Sequence, residues 1–259
     1  MDASEAVANT FLLRLGFADI QYEPDGKRPP DFSVNDSIGI EVRRLNQNVR
    51  SAKGFKGLEE DARPLWDGIE KLAKSLGPSP PDENWYVNFS FRRPFGRRKQ
   101  IGDHVRAALS EFVSTKERQP THWQLTPGFR LEVIKGGTKH PTFFTMGGYV
   151  DYDDGGWVLS EMQRNLDICI AEKTIKRRNA RKEYTEWWLI LLDHIGYGLP
   201  DEEDRDQLRS LVSKSADWNR VVLLNSLDVR CFFELHKTAG FPLALTSETP
   251  QTAYPESAH

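Results

Sequence analysis

Residues 29–45 have the sequence PPDFSVNDSIGIEVRRL, and this stretch decides the fold. Its two prolines favour an extended entry into a first short strand at residues 31–34. The Asn-Asp-Ser triplet at residues 35–37 is a turn signal. Apolar residues then alternate with other residues from Ile38 to Val42, which is typical of a second strand. We therefore expect a β-hairpin in which Val34 lies opposite Ile38.

This hairpin would bring two carboxylates together. Counting outward from the turn places Asp31 directly opposite Glu41, with the two Cβ atoms about 4.5–5.5 Å apart. A two-residue turn would instead make the pair diagonal, still within reach of one ion. Opposed carboxylates repel each other, and a divalent cation between them would reverse that effect. Mg²⁺ prefers oxygen ligands and uses one or two carboxylates, so we expect Mg²⁺ as cofactor, with Mn²⁺ as a substitute.

The arrangement resembles the core of the PD-(D/E)XK nuclease superfamily. The residues that carry the resemblance are Asp31, then Glu41-Val42-Arg43 on the next strand, and Glu5 on a helix before the hairpin. It implies an α/β fold with a restriction-endonuclease-like αβββαβ core, whose mixed central sheet is flanked by helices. It also implies a phosphodiesterase (nuclease) acting on DNA or RNA. By this resemblance Asp31 and Glu41 would hold Mg²⁺, and Glu5 would add a ligand or orient a bound water.

One position departs from the family pattern. The third motif residue is usually a lysine that positions or activates the attacking water, and here it is Arg43. Arginine stays protonated at any working pH, so it cannot act as a base. It can still clamp a phosphate and stabilise transition-state charge, and Lys27 or Lys173 could supply an ammonium group. The alternative is a nuclease-like fold that no longer cuts and binds nucleic acid or a protein partner.

Each acidic residue also has a purely structural interpretation. Asp31, which follows two prolines, could be a turn residue that opens a strand. Glu41 and Arg43 could form an ion pair on a solvated strand face. A glutamate in the first turn of a helix, such as Glu5, is favoured by the helix dipole whatever its function. A third class of function, protein–protein contact through charged patches, therefore stays open.

The net charge of -3, from 35 Lys+Arg and 38 Asp+Glu, hides two basic clusters. The first cluster surrounds Phe95 and contains Arg92, Arg93, Arg97, Arg98 and Lys99. Arginines interleaved with an aromatic suit a phosphate backbone and a stacked base, although a solvated loop would have the same composition. The second cluster spans residues 173–182, and its Lys173 falls on the apolar side of a predicted helix. We expect these residues to contact nucleic acid, DNA rather than RNA, and a homodimer would suit a double-strand cutter.

The rest of the chain predicts one α/β domain with a mixed sheet. Helices are expected at residues 3–15, 58–76, 101–112, 158–183 and 201–215, a strand at 85–91, and a hairpin between 129–133 and 142–150 whose turn contains Gly136 and Gly137. The apolar run WWLILLD at residues 187–193 is typical of a central parallel strand. We expect a single nuclease-like domain over residues 1–240 and a flexible tail at 241–259.

Several classes of protein are excluded by composition. No apolar run approaches the ~18 residues of a membrane span. The N-terminal sequence lacks the apolar core of a secretory leader. The two cysteines, Cys169 and Cys231, are too far apart in sequence to suggest a disulfide framework or a zinc site. These features favour a cytoplasmic protein with no membrane partner.

Overall fold

The computed structural model describes residues 1–51, 54–78, 80, 83–137, 140–197, 200–212, 217–238 and 243–245. The chain forms two compact units. Residues 1–47 and 156–259 form the first, called here the host unit, and residues 48–155 form the second, the inserted unit. The sequence led us to expect one domain over residues 1–240. Among the described residues, no helix is both long enough and apolar enough to cross a membrane.

The chain is α/β, with mixed sheets and five helices among the described residues. The elements are α1 (Ala3–Arg14), β1 (Ile20–Tyr22), β2 (Phe32–Val34), β3 (Ile38–Leu45), β4 (Asn48–Ser51), β5 (Gly54–Gly57), α2 (Glu59–Ser75), β6 (Trp85–Phe91), α3 (Arg98–Ser114), β7 (Thr121–Thr126), β8 (Phe129–Lys135), β9 (Phe144–Asp151), α4 (Val158–Arg177), β10 (Glu186–Asp193), α5 (Glu202–Val212), β11 (Arg220–Asn225) and β12 (Phe232–Lys237).

The host unit is built on a six-stranded sheet in the order β1-β2-β3-β10-β11-β12. Strands β1 to β3 form an antiparallel meander, β10 runs parallel to both β3 and β11, and β12 is antiparallel to β11. The predicted central parallel strand is therefore confirmed in β10. Its continuous apolar sequence follows from its position, because the helices α4 and α5 cover one face of the sheet and α1 covers the other.

Strand β3 shows how the two faces are divided. Ile40 and Val42 belong to the apolar core on the α1 side, whereas Leu45 belongs to the core on the α4 side. Successive side chains of a strand alternate between faces. Glu41 and Arg43 therefore share the face of Leu45 and lie on the side covered by α4.

The hairpin between β2 and β3 has the predicted register. Val34 lies opposite Ile38, and the pairing continues outward along both strands to Phe32 and Ile40. At the turn, Asn35 and Asp36 have φ values of 48° and 54°, a left-handed conformation that short polar side chains tolerate. The pairing, extended by one residue, sets Asp31 against Glu41, as expected from the sequence.

The inserted unit contains a four-stranded sheet in the order β7-β8-β6-β9 and a separate β4–β5 hairpin. The alternation along β6 buries Trp85, Val87, Phe89 and Phe91 in a core shared with α2 and α3. The helix α2 presents Leu65, Ile69 and Leu72 to this core at helical spacing. The inserted unit therefore has an apolar core of its own.

The predicted hairpin between β8 and β9 is wrong. β8 pairs with β7 and β6, while β9 runs parallel to β6. The actual turn before β8 contains Gly128, where an added Cβ would lie 2.5 Å from the carbonyl oxygen of Arg92. Only glycine fits so close to a backbone. Gly136 does not mark the hairpin turn, and its own added Cβ would meet Asn84 instead.

The predicted tail is described only in part. Leu243 and Leu245 pack against the apolar core on the α1 side of the host sheet. Residues 241–242 and 246–259 lie outside the described residues, so the prediction of a flexible tail cannot be compared with the structure there.

Two glycine-to-alanine changes should have opposite effects on stability. An added Cβ at Gly39 would lie 3.0 Å from the Tyr184 ring and 3.1 Å from the Trp187 ring. We expect Gly39→Ala to lower the free energy of unfolding by about 1–3 kcal/mol through overpacking. Gly68 lies inside α2 with no atom within 4 Å of an added Cβ, so Gly68→Ala should raise stability by about 0.5–1 kcal/mol. Urea denaturation measures both, and a Gly39→Ala variant as stable as wild type would contradict the tight packing between β3 and β10.

Candidate functional site

Two carboxylates meet over a single cationic group on the α4 side of the host sheet. The Lys173 ammonium lies 3.0 Å from Asp31 Oδ2 and 2.6 Å from Glu41 Oε2. Glu41 is fully buried, and the Lys173 side chain is 7% exposed. The predicted convergence of the two acids is therefore confirmed. The cation that joins them in the structure is an ammonium group from α4.

A second lysine completes the cluster. Lys176 lies three residues after Lys173, so the two side chains share one face of α4. Its ammonium is 3.1 Å from Asp31 Oδ1 and 3.1 Å from Glu41 Oε2. In contrast to Lys173, the Lys176 side chain is 39% exposed. We call these four residues the carboxylate–lysine cluster. Its formal charges cancel, two negative against two positive.

Three of the four carboxylate oxygens in the cluster have partners. Asp31 Oδ2 accepts a hydrogen bond from the Val42 N–H at 2.8 Å as well as from Lys173. Glu41 Oε2 and Asp31 Oδ1 accept from the lysines. Glu41 Oε1 is buried and has no hydrogen-bond partner among the described residues. Leaving a buried acceptor unsatisfied costs about 1–3 kcal/mol, so this oxygen needs an explanation.

The two acids have pKa values shifted in opposite directions. Burial by itself raises the pKa of the Asp31 carboxyl. Attraction by Lys173 and Lys176 and the hydrogen bond from Val42 outweigh that effect, so the pKa of Asp31 lies below its ordinary value. For Glu41, burial dominates and the charge of Asp31 adds to it, so the pKa of Glu41 is raised despite the lysines. Burial lowers the pKa of Lys176, but Glu41 and Asp31 together raise it above its ordinary value.

The donor chemistry fits a hard divalent cation. Mg²⁺ takes one or two carboxylates and fills its remaining positions with water and phosphate oxygens. Asp31 and Glu41 provide that pair, and Glu41 Oε1 is a buried carboxylate oxygen with no hydrogen-bond partner in the described part of the chain. Within the described residues there is no group of three or more His, Cys, Asp or Glu side chains arranged for a metal. Among the described residues, the candidate ligands for a divalent cation are therefore Asp31 and Glu41.

Arg43 lies on the same face as Glu41 but has a different partner. Its guanidinium pairs with Glu172 on α4, with Arg43 Nη2 at 3.2 Å from Glu172 Oε2. Lys27, the other proposed source of an ammonium, is exposed. Among the described residues, no hydrogen bond or ion pair joins Lys27 to Asp31 or Glu41. The ammonium group that lies between Asp31 and Glu41 is that of Lys173.

Glu5 is not brought to the cluster. It closes a capping box at the start of α1, with Asp2 as N-cap, and accepts a hydrogen bond from the Tyr22 hydroxyl at 2.8 Å. α1 packs on the face of the sheet opposite α4. In the part of the chain that the structure describes, no hydrogen bond or ion pair connects Glu5 with Asp31 or Glu41. Its observed contacts agree with the capping interpretation.

The first basic cluster lies in the inserted unit, and its arginines differ in accessibility. The Arg93 side chain is 11% exposed and pairs with Asp61, Asp151 and Asp153 at 2.8–3.1 Å. The neighbouring Arg92, Arg97, Arg98 and Lys99 are exposed. Phe95 is buried and packs edge-on against Phe91. The expectation that Phe95 stacks on a base is therefore wrong, because its ring belongs to the core.

Sequence reasoning missed Lys176 as a site residue. A signal was present, because Lys173 and Lys176 are three apart on one predicted helix, and a lysine on the apolar side of a helix needs a carboxylate. Only the packing of α4 over β3 shows that both lysines reach the acids.

Comparison of the chain with protein-family models, with curated proteins and with solved structures finds no match.

Removing one buried charge from the cluster should be costly. Lys173→Met leaves Glu41 buried with its main partner gone, and we expect the free energy of unfolding to fall by about 3–5 kcal/mol. The double variant Glu41→Gln/Lys173→Met should recover much of that loss. Lys182→Met is the control, since Lys182 pairs with the exposed Asp36, and it should change little. Equal losses in the single and double variants, measured by urea denaturation, would show that the two charges are not coupled.

The acid dependence of stability should reflect Asp31. Its pKa in the folded protein is below the ordinary value of 3.8, so its ion pairs stabilise the fold above that pH. This stabilisation is lost as pH falls through the folded pKa. Asp31→Asn cannot titrate, so its melting temperature should fall less than that of wild type between about pH 5 and pH 2. The exposed Asp206→Asn is the control, and a wild-type profile in Asp31→Asn would contradict the assignment.

Proposed function

We propose that this chain is a metal-dependent phosphodiesterase acting on nucleic acid, with DNA as the preferred substrate. The observation that carries the proposal is the meeting of Asp31, Glu41 and Lys173 in one buried cluster. An acid that immediately precedes β2, an acid on β3 and a lysine between them provide the functional groups of the PD-(D/E)XK motif. Lys173 comes from α4 instead of from the third motif position, where Arg43 lies.

The topology of the host unit supports a restriction-endonuclease-like core. With the inserted unit set aside, the element order is α1-β1-β2-β3-α4-β10, which corresponds to αβββαβ. Asp31 immediately precedes the second strand of this series, Glu41 lies on the third, and the lysines lie on the helix that follows. The inserted unit enters after β3, where the chain leaves the sheet.

In this proposal the residues of the cluster and its surroundings have different roles. Asp31 and Glu41 would hold the Mg²⁺ ion, which would stabilise developing negative charge on the phosphate and favour attack by water. Lys173 is held by both acids in a fixed position, so it can orient a water or phosphate oxygen at little entropic cost. Lys176 is more exposed and can turn towards a phosphate. The Arg43–Glu172 pair would hold β3 and α4 together beside the site.

A second function is favoured by the charge balance of the cluster. Two lysines already neutralise the two acids, so the fold does not need a metal for electrostatic reasons. A protein with such a balanced cluster could bind nucleic acid or a protein partner without cutting. Metal binding and cleavage separate the two possibilities.

The central test combines metal titration with a cleavage assay. Calorimetry should show Mn²⁺ binding to wild type that is lost in Asp31→Asn and in Glu41→Gln. Cleavage of plasmid, single-stranded DNA and RNA should fall by on the order of 100-fold or more in both variants and in Lys173→Met. Arg43→Lys should keep activity close to wild type, because Lys173 already supplies the ammonium.

The outcomes distinguish the two functions. Wild type that binds nucleic acid but neither binds Mn²⁺ nor cleaves any substrate would be the non-cutting module. Metal binding that survives loss of both Asp31 and Glu41 would place the metal elsewhere and overturn the proposed site. Circular dichroism of each variant controls for folding.

A further inference from the structure

The inserted unit contains a cavity of about 650 Å³ with an excess of positive charge. Four basic side chains and one acid line it, and they are Arg50, Lys56, Arg93, Arg98 and Asp61. This cavity is formed wholly by residues of the inserted unit. Its volume is within the range that holds small ligands up to the size of a nucleotide.

Three of the cationic groups converge on one carboxylate. Asp61 accepts from Lys56 Nζ at 2.5 Å, from Arg93 Nε at 3.0 Å and from Arg98 Nη2 at 3.2 Å. Asp61 is buried, and although burial raises the pKa of its carboxyl, the three donors together hold that pKa below its ordinary value. The geometry is that of several cations gathered around a single oxyanion.

The cationic side chains of the cavity differ in how many of their N–H donors have an acceptor. Arg93 is satisfied, because Asp151, Asp153 and the carbonyl oxygen of Leu58 accept from it in addition to Asp61. Within the described residues, Arg98 donates through Nη2 alone, to Asp61 and to the Glu60 carbonyl oxygen.

Two further side chains have donors to spare. Lys56 makes one ion pair with the residues that the structure describes, and its partner is Asp61. Arg50 is exposed and has no ion pair among the described residues. Arg98, Lys56 and Arg50 therefore leave several N–H groups beside the cavity, and one carboxylate does not neutralise their charge.

We propose that this cavity binds a phosphomonoester, either the terminal phosphate of a nucleic-acid strand or the phosphate of a free nucleotide. Arg50, Lys56, Arg93 and Arg98 carry four positive charges against the three negative charges of Asp61, Asp151 and Asp153, so the group keeps a net positive charge that a phosphate anion complements. Arginine donors suit phosphate oxygens because the planar guanidinium can donate two parallel hydrogen bonds. The proposal concerns a site separate from the carboxylate–lysine cluster and does not depend on cleavage.

The experiment measures binding without metal, in EDTA and at low salt. The probes are AMP and two fluorescent single-stranded oligonucleotides of one sequence, with a 5′-phosphate or a 5′-hydroxyl. The 5′-phosphorylated strand should bind more tightly than the hydroxyl strand, and AMP should compete with it. Stronger binding of the strand than of AMP would identify a nucleic-acid end as the ligand, and the reverse order would identify a free nucleotide.

Variants of the cavity residues should change the affinity for the phosphorylated probe in opposite directions. Arg98→Gln and Lys56→Met should each weaken binding of the phosphorylated probe by about tenfold. Asp61→Asn removes the competing carboxylate and should tighten binding. Arg106→Gln is the matched control, because Arg106 lies on the same helix α3 but lines a different cavity, and its affinity should equal that of wild type.

Two results would overturn the proposal of a phosphate-binding cavity. Equal affinity for the phosphorylated and hydroxyl strands, together with no competition by AMP, would overturn it. So would equal effects of Arg98→Gln and Arg106→Gln, even if Asp61→Asn does not fold. Asp31→Asn and Glu41→Gln should keep the preference for the phosphorylated over the hydroxyl strand, so loss of cleavage and loss of phosphate recognition are separable results.

Discussion

The buried Glu41–Lys173 ion pair is the constraint on which the site depends. Glu41 lies in the middle of β3 with no exposed surface, directly under α4. A charged carboxylate there is costly unless a cation reaches it, and Lys173 does so at 2.6 Å. The sheet therefore cannot place Glu41 at this point unless α4 crosses it in this register. Asp31, Lys176 and the Arg43–Glu172 pair are arranged around that crossing.

The need to pair buried charges also governs the inserted unit, where some of the described cations are fully paired and others are not. Arg93 is surrounded by three aspartates and a carbonyl oxygen, so its charge is used within the fold. Arg98 and Lys56 both pair with Asp61, and each keeps N–H donors beyond those that Asp61 accepts. A basic run in a sequence thus divides into cations that hold the structure together and cations that are free to bind, and only the partners of each side chain show which is which.

The local sequence pattern was enough to predict the β2–β3 hairpin and the proximity of Asp31 and Glu41. The turn at residues 35–37 and the alternation in β3 specify a register, and the register alone sets Asp31 against Glu41. The lysine could not be placed, because Lys173 is 142 residues from Asp31 in sequence and reaches it only through the packing of α4. The false β8–β9 hairpin has the same origin. β9 pairs with β6 across an intervening helix and two strands, and no local signal specifies such a partner.

A buried cluster of ion pairs is weak evidence of a stabilising role. Replacing buried ion pairs with apolar side chains of similar volume is often neutral or stabilising, so stability alone gives little reason to keep two acids and two lysines between β3 and α4. Among the described residues, Glu41 Oε1 is also buried without a hydrogen-bond partner, which costs about 1–3 kcal/mol. Titratable groups whose pKa values are pushed apart, as those of Asp31 and Glu41 are, are concentrated at functional sites. The proposed metal site would give these features a role, because a cation held by Asp31 and Glu41 would supply the partner that Glu41 Oε1 lacks among the described residues.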